Sequence, residues 1–259
     1  MYWRDSWEFD NSNEYEYKYP GKYGARGEKR AKKKKATPEQ IKKQNQANRE
    51  KNIRRLIKKN FRKSDLWCTL MYPKGTRLTV EKYKKHISLF LGRIRRWYKK
   101  VGAVCKFIYR LEVGKEGGVH LHILLSRVYG EDTDIAIQKA WTYGIVDFKN
   151  IHEIGGYVKL ANYIVKQPKT DEEWEQINMF EEDEQKNFLK YSTSRNLERP
   201  VPERKLYTRR TVRKMIEEGP KPTPGYYIDK DSIVSGINPY TGLSYLHYTE
   251  IRIKEITQT

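Results

Sequence analysis

The segment Val119–Leu125, with the sequence VHLHILL, most constrains the fold because two histidines alternate with apolar residues. Side chains of a β-strand alternate between two faces, so His120 and His122 would share one face while Leu121 and Ile123 share the other. Imidazole binds divalent metals and carries protons near neutral pH. The alternative is that both histidines simply lie on the solvent side of a half-buried strand.

Hydrophobic periodicity predicts several elements around this strand, and the clearest is an amphipathic helix capped at its start by Thr79. The predicted elements are strand 66–72, helix 80–101, strands 104–113 and 119–126, helix 134–141, strand 145–148 and helix 157–166. Their order, β-α-β-β-α-β-α, resembles an RRM-like or ferredoxin-like α+β domain. Such a domain has an antiparallel sheet with helices on one face.

The charge is concentrated near the amino terminus. The net charge is +20, and residues 18–63 contain 19 Lys or Arg and only 3 acids. Such a charge favours a polyanionic partner, with nucleic acid first and an anionic membrane second. A helix is predicted from Thr37 to about Phe61, either as a DNA-binding surface or as an exposed, frayed arm. If it binds DNA, deleting residues 18–63 should weaken binding more than chemistry.

Basic residues in several segments are candidate contacts for nucleic acid. They are Lys32, Lys33, Lys34, Lys35, Arg54, Arg55, Lys58, Lys59, Lys159, Arg195, Arg209 and Arg210.

Three regions are expected from these patterns: a basic extension with a helix (1–63), a central α+β domain (64–200) and a carboxy-terminal extension (201–259). Residues 171–184 contain eight acids and no base, which indicates an exposed insertion in the central domain.

Several classes of protein are disfavoured. No apolar run approaches the roughly 20 residues needed to span a bilayer. The first residues, MYWRDSWEFDN, lack the basic-then-apolar layout of a signal peptide, so an intracellular location is expected. Cys68 and Cys105 lack a CxxC spacing and are expected to be free thiols.

Glu112 is the acid best placed to complete a site with the two histidines. It lies near the end of the strand that pairs with the histidine strand, and two imidazoles with one carboxylate can bind a metal and leave positions for phosphate oxygens. Glu116, His152 and Glu153 are alternative ligands. Cross-strand pairing of Glu112 with Arg110 or a lysine is the structural alternative.

Tyr163 is the best candidate nucleophile. On a helix it is a neighbour of Lys159 and Lys166, whose ammonium groups would favour the phenolate and hold a phosphate. The Tyr-x-x-Lys pattern alone is weak, because it recurs at three other tyrosines, Tyr15, Tyr19 and Tyr227. Those three lack an amphipathic helix. The alternative for Tyr163 is a residue that caps the core with its hydroxyl in water.

An upstream Glu, His-hydrophobe-His on a strand and Tyr-x-x-Lys on a helix together resemble the HUH endonuclease superfamily, in particular the single-tyrosine rolling-circle replication initiators of phages, plasmids and integrated elements. The segments WTYGIV (141–146) and GYVKLANYIVK (156–166) are similar to the same initiators, and 66–71 would be their first motif. The resemblance covers about residues 64–168. Tyr157 is six residues before Tyr163, roughly 240° around a helix, so it is expected to be structural.

This resemblance implies that His120, His122 and Glu112 bind Mg²⁺ or Mn²⁺, that Tyr163 is the nucleophile and that Lys166 assists at the phosphate. It implies nicking and joining of single-stranded or hairpin origin DNA through a 5′-phosphotyrosine, in the cytoplasm of a bacterial host. The sequence has no Gly-x4-Gly-Lys-Ser/Thr motif, so a host helicase and polymerase are expected partners.

Several functional alternatives and the assembly state stay open. A transposase or relaxase would use the same chemistry, and a non-catalytic nucleic-acid-binding protein would use the charge alone. The protein could act as a monomer or a dimer, and no membrane partner is expected.

Overall fold

A computed structural model describes residues 1–20, 36–114, 118–151, 156–168, 170–238 and 242–253. The elements in chain order are β1 (Tyr2–Phe9), β2 (Ser12–Lys18), α1 (Pro38–Asn60), β3 (Leu66–Met71), α2 (Val80–Lys100), β4 (Phe107–Val113), β5 (Val119–Leu125), α3 (Thr133–Ala140), β6 (Ile145–Asn150), α4 (Gly156–Ile164), α5 (Asp171–Asn178), α6 (Glu182–Leu189), β7 (Tyr191–Thr193), β8 (Glu203–Tyr207), α7 (Arg209–Glu218), β9 (Tyr226–Ile237) and β10 (Ser244–Arg252). They form two compact units, one of residues 42–199 and one of residues 1–41 with 200–259.

The unit of residues 42–199 is built on an antiparallel sheet with the strand order β6-β3-β5-β4-β7. The histidine strand β5 lies at its centre. The predicted α+β class with an antiparallel sheet is confirmed. Placing β5 between β3 and β4 gives both histidines neighbours on either side.

The amphipathic helix α2 packs with α3 on the apolar face of this sheet. Thr79 caps α2 by accepting a hydrogen bond from the backbone N–H of Lys82, as the sequence predicts. The buried side chains of α2 repeat every three or four residues and meet Leu121 and Ile123 of β5 in the larger core.

A second helical layer covers part of the histidine face, which corrects the expectation of helices on one face only. Ile53 and Ile57 of α1 and Leu160 of α4 pack there against Trp67 and Leu124 of the sheet. Each fully buried aliphatic side chain contributes about 1.5–3 kcal/mol. The carboxy-terminal half of α1 is therefore part of the folded unit rather than a frayed arm.

The start of α1 follows the predicted capping pattern. The backbone N–H of Gln40 donates to Oγ1 of Thr37 at 3.3 Å, and the Gln40 side chain accepts from the Thr37 N–H at 3.0 Å.

The acidic segment folds into the two short helices α5 and α6. Ile177 of α5 and Phe188 of α6 are buried in the larger core, so the predicted insertion is anchored by apolar side chains while its acids face outward. Cys68 and Cys105 are free thiols, as expected.

The other unit combines both ends of the described chain. Its antiparallel sheet has the order β8-β1-β2-β10-β9, and α7 packs on it through Val212. The sequence predicts two separate extensions, 1–63 and 201–259. The structure instead joins residues 1–41 to residues 200–259 and assigns residues 42–63 to the central unit. No described helix is both long and apolar enough to cross a membrane.

Candidate active site

Glu112, His122 and Tyr163 converge on the histidine face of the central sheet. Nε2 of His122 lies 2.7 Å from Oε2 of Glu112, and Oη of Tyr163 lies 3.0 Å from the same nitrogen. The Tyr163 hydroxyl also donates a short hydrogen bond to Oε2 of Glu112. Three groups selected from the sequence thus share one hydrogen-bonded cluster.

The strand register explains how Glu112 and the histidines meet. Glu112 of β4 is directly opposite His120 of β5, and Arg110 is opposite His122. Residues two apart on a strand face the same side, so all four side chains project from one face. Helix α4 lies over that face and brings Tyr163 to the end of the cluster.

Two residues of β3 hold the His122 ring. Oγ1 of Thr69 lies 3.2 Å from Nδ1 of His122, and the Trp67 indole stacks on the imidazole with ring centroids 5.6 Å apart. In the neutral tautomer with the proton on Nε2, Thr69 donates to Nδ1 and Nε2–H faces Glu112. Trp67 also meets the Tyr163 ring edge-on, so it contacts both groups.

Arg110 ties the nucleophile helix to the sheet. Its Nη1 donates to the carbonyl oxygens of Tyr163 at 2.9 Å, Ile164 at 3.1 Å and Lys166 at 3.1 Å, and its Nη2 donates to that of Phe188 at 3.1 Å. The carbonyls at a helix carboxyl end lack intrahelical donors and carry partial negative charge. A guanidinium there satisfies those carbonyls and fixes the backbone of Tyr163.

The cluster shifts the acidity of its members in opposite directions. Burial acts to raise the pKa of Glu112, but hydrogen bonds from His122 and Tyr163 outweigh it and hold the pKa at about 2. Burial and the Glu112 carboxylate together raise the pKa of Tyr163 well above its usual range. At neutral pH, Glu112 is therefore an anion and Tyr163 is a phenol. Burial and the nearby His122 lower the pKa of His120.

His120 is further from the cluster than its partner. Its ring centroid is 6.3 Å from that of His122, and a Cβ placed on Gly114 would lie 3.2 Å from Nε2 of His120. The ring therefore faces the hairpin end of β4 and β5.

The donor set suits a hard or borderline divalent ion, since two imidazoles and a carboxylate share one face. Within the described residues, however, no three His, Cys, Asp or Glu side chains are already arranged to hold a metal. Glu112 is hydrogen-bonded to Tyr163 and His122, while His120 points toward Gly114. The residues fit Mg²⁺ or Mn²⁺ in type and face, and rotation of the His120 and Glu112 side chains would be needed to bring them together.

The two lysines predicted beside Tyr163 differ in position. Helix α4 ends at Ile164, two residues before the predicted end, so Lys166 follows the helix and lies with Glu112 around a small cavity of about 40 Å³. Lys159 is exposed on α4, one turn before Tyr163. Tyr157 donates its hydroxyl to the carbonyl oxygen of Phe61 at 3.1 Å, away from the cluster.

The alternative ligands Glu116, His152 and Glu153 lie outside the described residues, as do Lys32, Lys33, Lys34 and Lys35.

The other predicted nucleic-acid contacts are spread over both units. Arg54, Lys58 and Lys59 are on α1, and Arg195 follows β7 at the surface. Arg209 and Arg210 are exposed at the start of α7. Arg55 departs from its predicted role, since it is only 6% exposed and therefore offers little surface to DNA. Its neighbours Ile53, Leu56 and Ile57 draw this part of α1 into the core.

Three contributors were missed from the sequence: Trp67, Thr69 and Arg110. A signal for two of them was present. Thr69 interrupts the apolar strand LWCTLM, and Arg110 interrupts FIYRLEV. A polar residue inside a buried strand requires a partner, which indicates a site or a buried network.

Comparison with known proteins gives one match. Residues 65–168 match a family model of replication-associated proteins, the ORF2 family. No curated protein and no solved structure matches the chain. The matched segment is less than half of the chain, and it includes Glu112, both histidines of β5 and Tyr163. This segment is thus similar to replication-associated proteins.

Proposed function

We propose that the chain initiates rolling-circle DNA replication by nicking and rejoining one DNA strand through Tyr163. The observation that carries this proposal is the direct contact of the Tyr163 hydroxyl with Glu112 and His122, inside a segment similar to replication-associated proteins.

The reaction is a phosphoryl transfer. The Tyr163 oxygen attacks the scissile phosphorus in line, a tyrosine–phosphorus bond forms, and the phosphorus–3′-oxygen bond breaks. The product is a 5′-phosphotyrosyl link and a free 3′-hydroxyl that can prime synthesis. Attack by a 3′-hydroxyl on the same link reverses the step and rejoins the strand.

The proton of Tyr163 needs an acceptor because the raised pKa keeps the phenol neutral at pH 7. The ionised Glu112 carboxylate already accepts the hydroxyl hydrogen bond, and Nε2 of His122 lies 3.0 Å from the same oxygen. The half-buried Lys166, beside the cavity that Glu112 also lines, supplies positive charge for the phosphate.

Mg²⁺ or Mn²⁺ would be held by His120, His122 and Glu112, and its contribution would be Lewis-acid stabilisation of the phosphate oxygens. Thr69 and Trp67 orient His122 for this role, and Arg110 fixes the backbone of the nucleophile.

The test is a covalent-adduct assay on the full chain with single-stranded oligonucleotides that tile the DNA flanking its gene, in Mn²⁺. An oligonucleotide labelled at its 3′ end should form a labelled protein adduct, whereas a 5′ label should appear on a shortened free strand. Tyr163→Phe should abolish the adduct and Tyr157→Phe should retain it, and mass spectrometry should locate the link on Tyr163.

Several outcomes would contradict the proposal. They are an adduct that survives Tyr163→Phe, a label transferred from the 5′ end, or salt-sensitive binding with no adduct on any flanking sequence. The last result would favour a non-catalytic nucleic-acid-binding protein.

A further inference from the structure

The unit formed by residues 1–41 and 200–259 contains a cavity of about 380 Å³ between its sheet and α7. Ligand pockets commonly measure about 300–1,000 Å³, so its size suits a molecule as large as a nucleotide. Every residue that lines the cavity belongs to this unit. The cavity is therefore a site separate from the Tyr163 cluster.

The walls are aromatic. Tyr15, Tyr17, Tyr207 and Tyr248 all line the cavity. Tyr17 and Tyr248 are almost fully buried, while Tyr15 and Tyr207 are partly exposed. A partly exposed phenol ring beside a cavity offers a stacking surface that any base can use, because every base has a π-face.

Arg4 provides a cation between the two accessible rings. Its guanidinium carbon is 5.5 Å from the Tyr15 ring centroid and 5.3 Å from that of Tyr207, and its Nη1 donates to the Tyr207 hydroxyl at 2.9 Å. Its Nε is buried and has no hydrogen-bond partner among the described residues. A buried N–H donor without an acceptor is costly, so this atom favours an acceptor from a ligand.

The remaining charges also suit a nucleotide. Lys214 and Lys221 line the cavity and can contact a phosphate. Glu250 is 1% exposed and accepts hydrogen bonds from the Tyr15 hydroxyl at 3.2 Å and the Thr223 N–H at 3.0 Å. A carboxylate has about four lone-pair sites, so Glu250 can still accept from an amino group of a base.

We propose that this cavity binds one unstacked nucleotide of single-stranded DNA, with the base against Tyr15 and Tyr207 and the phosphate near Arg4, Lys214 and Lys221. The nucleotide chemistry comes from the cavity, and the choice of DNA over a free nucleotide rests on the proposed function. The second unit would then grip the substrate strand while the central unit carries out the transfer.

Photo-crosslinking on the full chain tests where a base lies. Tyr163→Phe is used so that no strand is cut, and the probe is a mixed-sequence single-stranded oligonucleotide with 5-iododeoxyuridine at successive positions. Mass spectrometry should place crosslinks on Tyr15 or Tyr207. Crosslinks confined to residues 42–199 would overturn the proposal.

Binding measurements test the same site independently. In fluorescence anisotropy, the Tyr207→Leu variant and the Lys214→Ala/Lys221→Ala double variant should each weaken single-strand binding about fivefold or more, with little effect on duplex binding. Tyr227→Leu and Lys230→Ala are matched controls, since both residues are exposed on β9 and do not line the cavity. Unchanged affinity of both cavity variants would overturn the proposal.

Two further arms separate the possible ligands and the two proposals. Thymidine 5′-monophosphate competing at micromolar concentration with the oligonucleotide would indicate a free-nucleotide site and overturn the choice of DNA. Adduct formation at Tyr163 is measured separately, so its absence together with crosslinks at Tyr15 or Tyr207 would contradict the proposed function alone.

Discussion

Nη1 of Arg110 donates to the carbonyl oxygen of Tyr163 at 2.9 Å and so joins strand β4 to the end of α4 that carries the nucleophile. The same strand carries Glu112 two residues later, on the same face. One strand thus places both the backbone of Tyr163 and the acceptor of its hydroxyl proton.

Arg110→Lys should therefore weaken both stability and strand transfer. A lysine ammonium cannot reproduce the two-nitrogen geometry that reaches four carbonyl oxygens, and buried acceptors would lose their donors. We expect the free energy of unfolding to fall by about 2–3 kcal/mol in urea titrations.

Under conditions where Arg110→Lys is still folded, adduct formation should be slower while DNA affinity is retained, because the change displaces Tyr163 and not the binding surface. Arg96→Lys, at an exposed position of α2, is the matched control and should change stability by less than about 0.5 kcal/mol. Equal stability of both variants would contradict the role assigned to Arg110.

The low pKa of Glu112 predicts an acid-dependent contribution to stability. Its folded pKa of about 2 is below its ordinary value of 4.5, so the folded state favours the ionised carboxylate. The contribution is complete above about pH 4.5 and is lost as the pH falls toward 2. A partly exposed carboxylate with this shift contributes about 2 kcal/mol.

Glu112→Gln should be less stable than the unmodified protein at pH 6, and the difference should narrow between pH 4.5 and 2.5. Urea unfolding in EDTA measures it without any divalent ion. The exposed Glu131→Gln should show no such trend. A stability difference for Glu112→Gln that is independent of pH would show that the carboxylate charge is not what stabilises the fold.

The local pattern predicted the elements that build the central sheet. The three- and four-residue spacing of α2 and the alternation in β5 are strong signals because one face of each element is buried. The alternation of Glu14, Tyr15, Glu16 and Tyr17 in β2 is a similar strand signal. Pairing of β1 with β8 and of β2 with β10 depends on contacts about 200 residues apart, for which no local pattern exists.

The site shows the same division between local and long-range information. Glu112 could be chosen over its alternatives because a hairpin places it opposite His120. The three carbonyls that receive Arg110 lie more than 50 residues away in sequence, so only the tertiary fold reveals them.

Thr69→Val tests whether orientation of His122 matters to the reaction. Valine keeps the β-branched shape of the strand residue but removes the hydroxyl that contacts Nδ1 of His122 at 3.2 Å. Loss of such an outer partner commonly costs about 10–100-fold in metal affinity or activity. We expect adduct formation to require correspondingly more Mn²⁺, while Thr249→Val on β10 should behave as the unmodified protein.

The basic surface of α1 cannot be tested by deleting residues 18–63, because Ile53, Ile57 and Phe61 are buried in the core of the central unit. Neutralising exposed charges avoids this problem. We expect the triple variant Lys42→Gln/Lys43→Gln/Arg49→Gln to keep the fold, since all three side chains are exposed. If all three contact phosphates of single-stranded DNA, the slope of log affinity against log salt should fall by about 2.

Adduct formation at saturating DNA should be unchanged in this variant, because α1 contributes charge to binding and no group to the transfer. The matched control is Lys84→Gln/Lys85→Gln/Lys99→Gln, which removes the same charge from exposed positions of α2 on the opposite face of the sheet. An equal loss of salt dependence in both triple variants would show that net charge, rather than the surface of α1, attracts the DNA.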